Sequence, residues 1–248
     1  MPSHPSLSIL RFPPDLKMTL LSPDLSLGLT STHVLITGGA GLIGSVVVSH
    51  FLATGSRVSS LDISYTSSSV PPHENCTVIP CDISSEPSIK TAFATAVEKN
   101  GPVEVCVALA SLDLSVLKGT SFVDADFGQL KKVLDVNVAG TWLTSREWLR
   151  GLKKVREQGE DGGKKLRNVA LVIIGSESGH FGERGWVDYS MGKSAVQGGL
   201  LMSLRAEVGR VWEGARVCIP CKGLRALTLL SYSLRRKSIP GEGLVVEN

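Results

Sequence analysis

A chain of 248 residues is long enough for one α/β domain with a large buried core and short for two. Its 42% hydrophobic and 20% charged residues are ordinary for a globular protein, and a net charge of +3, scattered along the chain, gives no footprint for nucleic acid. No apolar run approaches the roughly 20 residues that a membrane span requires, so no membrane partner is expected.

The first 30 residues are rich in Ser, Pro and Leu without helical or strand period, and are expected to form a flexible extension ahead of a domain spanning 31–248. A mitochondrial presequence is disfavoured there because Arg11 stands beside Asp15 and Asp24, so a cytoplasmic protein is the expectation. Five cysteines, an odd count with no signal peptide, agree with a reducing compartment. Cys218 and Cys221 form a CxxC, but no second pair accompanies it, and no metal site is expected.

From residue 33 onward apolar runs alternate with amphipathic stretches. Val34–Thr37 is a predicted first strand and 41–54 the helix after it. Arg57–Asp62 and Cys76–Asp82 are the second and third strands, followed by a helix over Glu86–Asn100 capped by Ser84 or Ser85. Val103–Ala110 is a fourth strand, apolar throughout as a strand covered on both faces should be. A long helical stretch covers 129–158, a charged, glycine-containing loop follows, and Val169–Ser176 is the fifth strand. A helix over 188–211 and a sixth strand over Ala215–Pro220 complete the pattern. Such alternation predicts a single α/β domain: a doubly wound, mostly parallel sheet with helices on both faces.

"TGGAGLIG", Thr37 to Gly44, occupies the first strand-to-helix turn. Glycines there let the backbone approach a pyrophosphate, and the helix N-terminus offers free N–H groups and a positive dipole end. Asp62, ending strand two, can accept the ribose hydroxyls of NAD and repel the extra phosphate of NADP, which makes NAD the preferred cofactor. The plainer alternative is a strand-end aspartate capping a turn. Asp82, ending strand three, either contacts the adenine side of the pocket or forms a turn.

Tyr189 and Lys193 stand four residues apart on one helical face. A phenol is a poor base near neutral pH, and a neighbouring ammonium lowers its pKa, so the pair can exchange a proton with a substrate oxygen. Ser176, thirteen residues before Tyr189, ends strand five, where its hydroxyl can meet the same oxygen.

With "TGGAGLIG", Asp62, "CDIS", "DVNVAGTW", "IIGSESG" and "YSMGK", the chain resembles the short-chain dehydrogenase/reductase family over about residues 32–220. The resemblance implies a Rossmann-fold oxidoreductase interconverting a secondary alcohol and a ketone. It implies Tyr189 as acid/base, Lys193 on the nicotinamide ribose, Ser176 orienting the substrate oxygen and Asn137 holding a water. The implied cofactor-binding set is Thr37, Gly38, Gly41, Leu42, Ile43, Gly44, Asp62, Asp82, Ile83, Ala110, Tyr189 and Lys193. A small-molecule alcohol or ketone is the implied substrate, and a homodimer or homotetramer the implied assembly, with Trp142 and Trp148 in its interface or in the core.

The chain departs from the family pattern in places. The TGxxGxxG spacing is that of the branch containing sugar-nucleotide epimerases, "ALAS" replaces an "NNAG"-like turn, and Cys221 stands where Gly is expected with 27 residues after it. A shortened substrate region after about residue 221 raises the alternative of a dinucleotide-binding protein with impaired catalysis, serving as sensor or scaffold.

Overall fold

The computed structural model describes residues 27–159 and 166–222. Strand β1 (His33–Thr37) leads through the glycine turn into α1 (Leu42–Ala53), and β2 (Arg57–Asp62), β3 (Cys76–Pro80), α2 (Glu86–Asn100) and β4 (Val105–Ala108) follow. Helix α3 (Phe127–Val133) runs without a break into α4 (Thr141–Glu157) through a π-helical stretch at Leu134–Gly140. After β5 (Ala170–Ile173), β6 (Gly175–Ser176) and the short α5 (Ser178–Phe181), helix α6 (Val187–Ser194) joins α7 (Leu201–Val211) through a second π-helical stretch at Ala195–Leu200. Strands β7 (Arg216–Cys218) and β8 (Cys221–Lys222) come last.

Six strands form one parallel sheet in the order β3-β2-β1-β4-β5-β7. Val34 of β1 lies between Val58 and Val105, and β5 pairs with β7 from Ala170↔Arg216 to Val172↔Cys218. The order reverses between β1 and β4, and a crevice opens there at the carboxyl ends of the strands. Alternate residues of β1 face opposite layers. Leu35 joins Leu61, Ile89, Trp148, Leu152 and Leu171 under α2, α4 and α7, whereas Val34 and Ile36 join Val48, Val58 and Val107 under α1. Trp148 is core and Trp142 is exposed, stacked on Arg146.

Ser85 caps α2, its hydroxyl accepting the Ser88 N–H, and Pro87 sits in the first turn, where a missing N–H is harmless. Gly28 and Leu29, at the end of the expected extension, are held to the domain: the Gly28 carbonyl accepts from Asn168 and that of Leu29 from Ser56. Residues 1–26, most of the charged loop (160–165) and the tail from 223, where the departures from the family pattern continue, lie outside the described residues.

The fifth and sixth strands are shorter than the apolar runs suggest. Each stops and resumes as β6 and β8, which among the described residues pair with each other, Gly175↔Cys221 and Ser176↔Lys222. The interruption falls at Ile174, whose N–H still donates to the Ala108 carbonyl at 3.2 Å while its own carbonyl accepts the ammonium of Lys193 at 2.9 Å.

Candidate functional site

The glycine turn is shaped by its neighbours. Gly38 has φ +75°, and a Cβ there would lie 2.8 Å from the Ala110 Cα, so the turn abuts the end of β4. A Cβ on Gly39 would strike the Ser60 hydroxyl, and one on Gly44 the Gly38 carbonyl. Gly41 is different: it is exposed, it is the N-cap of α1, and its added Cβ would meet only the Gly38 carbonyl, at 3.2 Å. Three glycines therefore serve the protein's own packing, and the fourth leaves the helix N-terminus open.

That N-terminus has no side-chain cap and no acidic residue in its first turn. Gly41 and Leu42 are exposed, Ile43 half-buried. Uncapped N–H groups and a positive dipole end fit an anionic pyrophosphate. Asp62 stands beside them. Its Oδ2 accepts the Ala40 N–H at 3.0 Å, and Oδ1 accepts the N–H and hydroxyl of Ser64 at 2.9 and 2.8 Å. A carboxylate offers about four acceptor positions, so Asp62 latches the loop to β2 and retains capacity for a further donor. Thr37 is buried, and its hydroxyl accepts the N–H groups of Leu109 and Ala110 at 3.1 and 3.2 Å. It braces the turn from beneath. Asp82 forms a turn, its Oδ1 accepting from the N–H and hydroxyl of Ser84, while Ile83 is buried against Gly140.

Across the crevice, Ser176, Tyr189 and Lys193 are all buried. Tyr189 packs with Leu117 and Val133, flanked by Leu112, Leu114 and Trp186. The Ser176 Oγ accepts the Ser178 N–H at 3.2 Å and lies close enough to the Tyr189 hydroxyl to act on it. The Lys193 ammonium sits 5.7 Å from the centre of the Tyr189 ring.

The expected depression of the Tyr189 pKa is not what this geometry produces. Burial pushes it above the ordinary phenol value, the Ser176 hydroxyl pulls the other way, and the Asp113 carboxylate adds to the rise. The physical reason is desolvation of the phenolate. Lys193 directs its ammonium to the Ile174 carbonyl and lies over the face of the ring rather than at its hydroxyl.

Asn137 lies in the π-helical stretch of the long helix, 1% exposed. Its Oδ1 accepts the Leu112 N–H at 2.7 Å and its Nδ2 donates to the Leu112 carbonyl at 2.9 Å. The carboxamide thus pins the loop after β4, and the Asn137 backbone carbonyl accepts the Thr141 hydroxyl at 2.8 Å.

A sequence profile described as short chain dehydrogenase matches residues 32–224. The chain belongs to the short chain dehydrogenase family. This dehydrogenase is 28% identical over 204 residues to the human (Homo sapiens) 3-hydroxyacyl-CoA dehydrogenase type-2, covering 79% of this chain and 74% of that protein. It is 32% identical over 181 residues to the short-chain dehydrogenase/reductase prx4 of Penicillium roqueforti, covering 71% of this chain but only 50% of that one. Its fold is similar to a short chain dehydrogenase from Leptospira borgpetersenii crystallised with NAD+, with TM-score 0.67 and 23% identity over 89% of this chain and 77% of that one.

Sequence reasoning missed two residues of this dehydrogenase's site. Gln129 joins the loop after β4 to the start of α6, bonding the Lys118 N–H and carbonyl and donating to Asp188 at 2.7 Å, directly before Tyr189. Gln197 accepts the Ser176 N–H at 2.6 Å. Gln197 follows Lys193 by four residues, as Lys193 follows Tyr189, and that spacing was its only signal.

Proposed function

We propose that this family member is an NAD-dependent oxidoreductase that interconverts a secondary alcohol and a ketone. The observation that carries the reading is a buried hydroxyl pair, Ser176 with Tyr189, beside a buried ammonium and across the crevice from an uncapped helix N-terminus. The N–H groups opening α1 hold the pyrophosphate, and Asp62 accepts from the adenosine ribose. Lys193 binds the nicotinamide ribose, within reach of Tyr189. The nicotinamide supplies or takes up hydride when bound.

Every other part falls to the chain's own side chains. Ser176 donates to the substrate oxygen, and Tyr189 gives that oxygen its proton in reduction or takes it back in oxidation. The burial that raises the Tyr189 pKa keeps it protonated at neutral pH, the form that reduction needs. Leu112, Leu114, Leu117 and Trp186 give the phenol an apolar surround that excludes water. Asn137 contributes by pinning Leu112, which stands beside the phenol. The substrate is a small molecule. The exposed Trp142, Met191 and Met202 on the long helices favour a homodimer or homotetramer, and light scattering on a sizing column measures it.

The test is NADH and NADPH oxidation against a panel of ketones, comparing wild type with Tyr189→Phe. Turnover with NADH is expected to exceed that with NADPH. Tyr189→Phe is expected to lose at least about 100-fold in kcat while binding NADH normally. Equal turnover by both proteins defeats the mechanism. Binding without turnover by wild type favours the alternative of a dinucleotide-binding sensor or scaffold.

A further inference from the structure

Gln197 combines features that its place behind the site does not require for packing. It is 5% exposed, its Oε1 accepts the Ser176 backbone N–H at 2.6 Å, and its Nε2 is buried with no hydrogen-bond partner among the described residues. The side chain is wedged against Gly179, where an added Cβ would lie 2.6 Å from Oε1 and 2.8 Å from Nε2. Turning the amide over would set a donor against the Ser176 N–H, so that bond dictates the orientation and leaves Nε2 the orphan. A buried unpaired donor is costly, and a methionine would fill similar space without one.

Placement on the helix gives the cost a context. Tyr189, Lys193 and Gln197 recur every four residues, and an α-helix alone would drift Gln197 away from the other two. The π-helical stretch at Ala195–Leu200 turns less per residue and brings it back towards their face. Three side chains of this helix then grip the Ser176 segment in register. Lys193 donates to the Ile174 carbonyl, Gln197 accepts from Ser176, and Ser194 donates to the Gly179 carbonyl. Of the three, only Gln197 holds Ser176 itself. With the Ser176 Oγ accepting from Ser178, the serine is fixed from two sides and its O–H is left to point towards Tyr189 and the substrate.

We infer that Gln197 is a positioning residue of the reaction, holding Ser176 at the height where its hydroxyl and that of Tyr189 meet one substrate oxygen. The inference rests on the functional reading above, in which Ser176 orients that oxygen. Small displacements of an orienting group cost rate far more than they cost binding.

The test compares wild type, Gln197→Met, Gln197→Glu, Ser176→Ala and the double variant Ser176→Ala/Gln197→Met, using NADH and the ketone reduced fastest in the panel. Gln197→Met removes the acceptor and is expected to lower kcat by about 10- to 100-fold, with NADH affinity within about twofold of wild type. Gln197→Glu restores an acceptor and is expected to recover most of that rate. Because Gln197 acts through Ser176, the double variant should be no more than about twofold slower than Ser176→Ala alone. Full multiplication of the two losses, or a Gln197→Met protein that turns over like wild type beside a slow Ser176→Ala, overturns the inference and leaves the functional reading standing. A Ser176→Ala protein as fast as wild type removes both. Should Gln197→Met fail to fold, Gln197→Leu takes its place, and the Gln197→Glu comparison with Ser176→Ala is read in the same way.

Discussion

Asn137 and Leu112 close a two-bond ring, the carboxamide of one meeting both the N–H and the carbonyl of the other at 2.7 and 2.9 Å. The ring ties the long helix to the loop after β4, whose Leu112, Leu114 and Leu117 stand around Tyr189. Removing it leaves two half-buried backbone groups without their partners. Asn137→Ala is therefore expected to lose about 2–3 kcal/mol of stability in urea denaturation, along with most activity. Asn137→Asp keeps the acceptor but sets a carboxylate oxygen against the Leu112 carbonyl, so it should do no better than alanine. An Asn137→Asp protein with wild-type stability would contradict the ring's role.

The glycines should separate by function. An alanine methyl at Gly44 collides with the Gly38 carbonyl, and the expected loss is about 3 kcal/mol, read as a collapse of soluble folded protein. At Gly41 the methyl meets that carbonyl at 3.2 Å, which a shift of a few tenths of an ångström relieves, but it stands where a pyrophosphate would approach. Gly41→Ala should keep its melting temperature within a few degrees, and its NADH dissociation constant should rise on the order of tenfold.

Tyr189 titrates above the ordinary phenol value of 10.0 because its phenolate is desolvated. In the cofactor-free protein, the phenolate absorbance lost between wild type and Tyr189→Phe should have its midpoint above pH 10. Ser176→Ala removes the hydroxyl that opposes the rise, and should move the midpoint higher still. A wild-type midpoint below 10 would show that Lys193 outweighs burial after all.

His33, fully buried at the start of β1, is held near pKa 4, chiefly by burial. Its Nδ1–H donates to the Gly101 carbonyl at 2.7 Å and its Nε2 accepts the Ser59 hydroxyl at 2.8 Å, an arrangement complete for the neutral ring. The unfolded chain takes up that proton near pH 6.5 and the folded one only near 4. The stability contribution is therefore fully present above pH 6.5 and is lost as pH falls towards 4, by up to about 3 kcal/mol. Denaturant titrations across that window should show a flatter pH dependence for His33→Leu than for wild type, although the variant is less stable at pH 7.5. Parallel curves would exclude His33 as the source.

The strands and helices were legible because buried parallel strands read as short apolar runs and amphipathic stretches separate them, with Ser85 marking the start of α2. Arg57–Asp62 and Glu86–Asn100 occur where the sequence places them. The interruption after Ile173 was not legible, because the group that meets the Ile174 carbonyl there, the Lys193 ammonium, comes from helix α6. The aspartates showed both sides of the same limit. Asp62 and Asp82 each end a strand, yet Asp62 reaches the glycine loop whereas the Asp82 carboxylate is engaged with Ser84.

By itself the sequence determined the order of elements, the family, and the residue types gathered at the carboxyl rim of the sheet, since these follow from local pattern and spacing. Only the tertiary structure decided what each group meets there. It made Thr37 a brace, Asn137 a pin and Gln197 the hold on Ser176. It also raised the Tyr189 pKa where spacing alone predicted a fall. Burial and hydrogen-bond partners come from segments distant in the chain, and a periodicity carries no record of them.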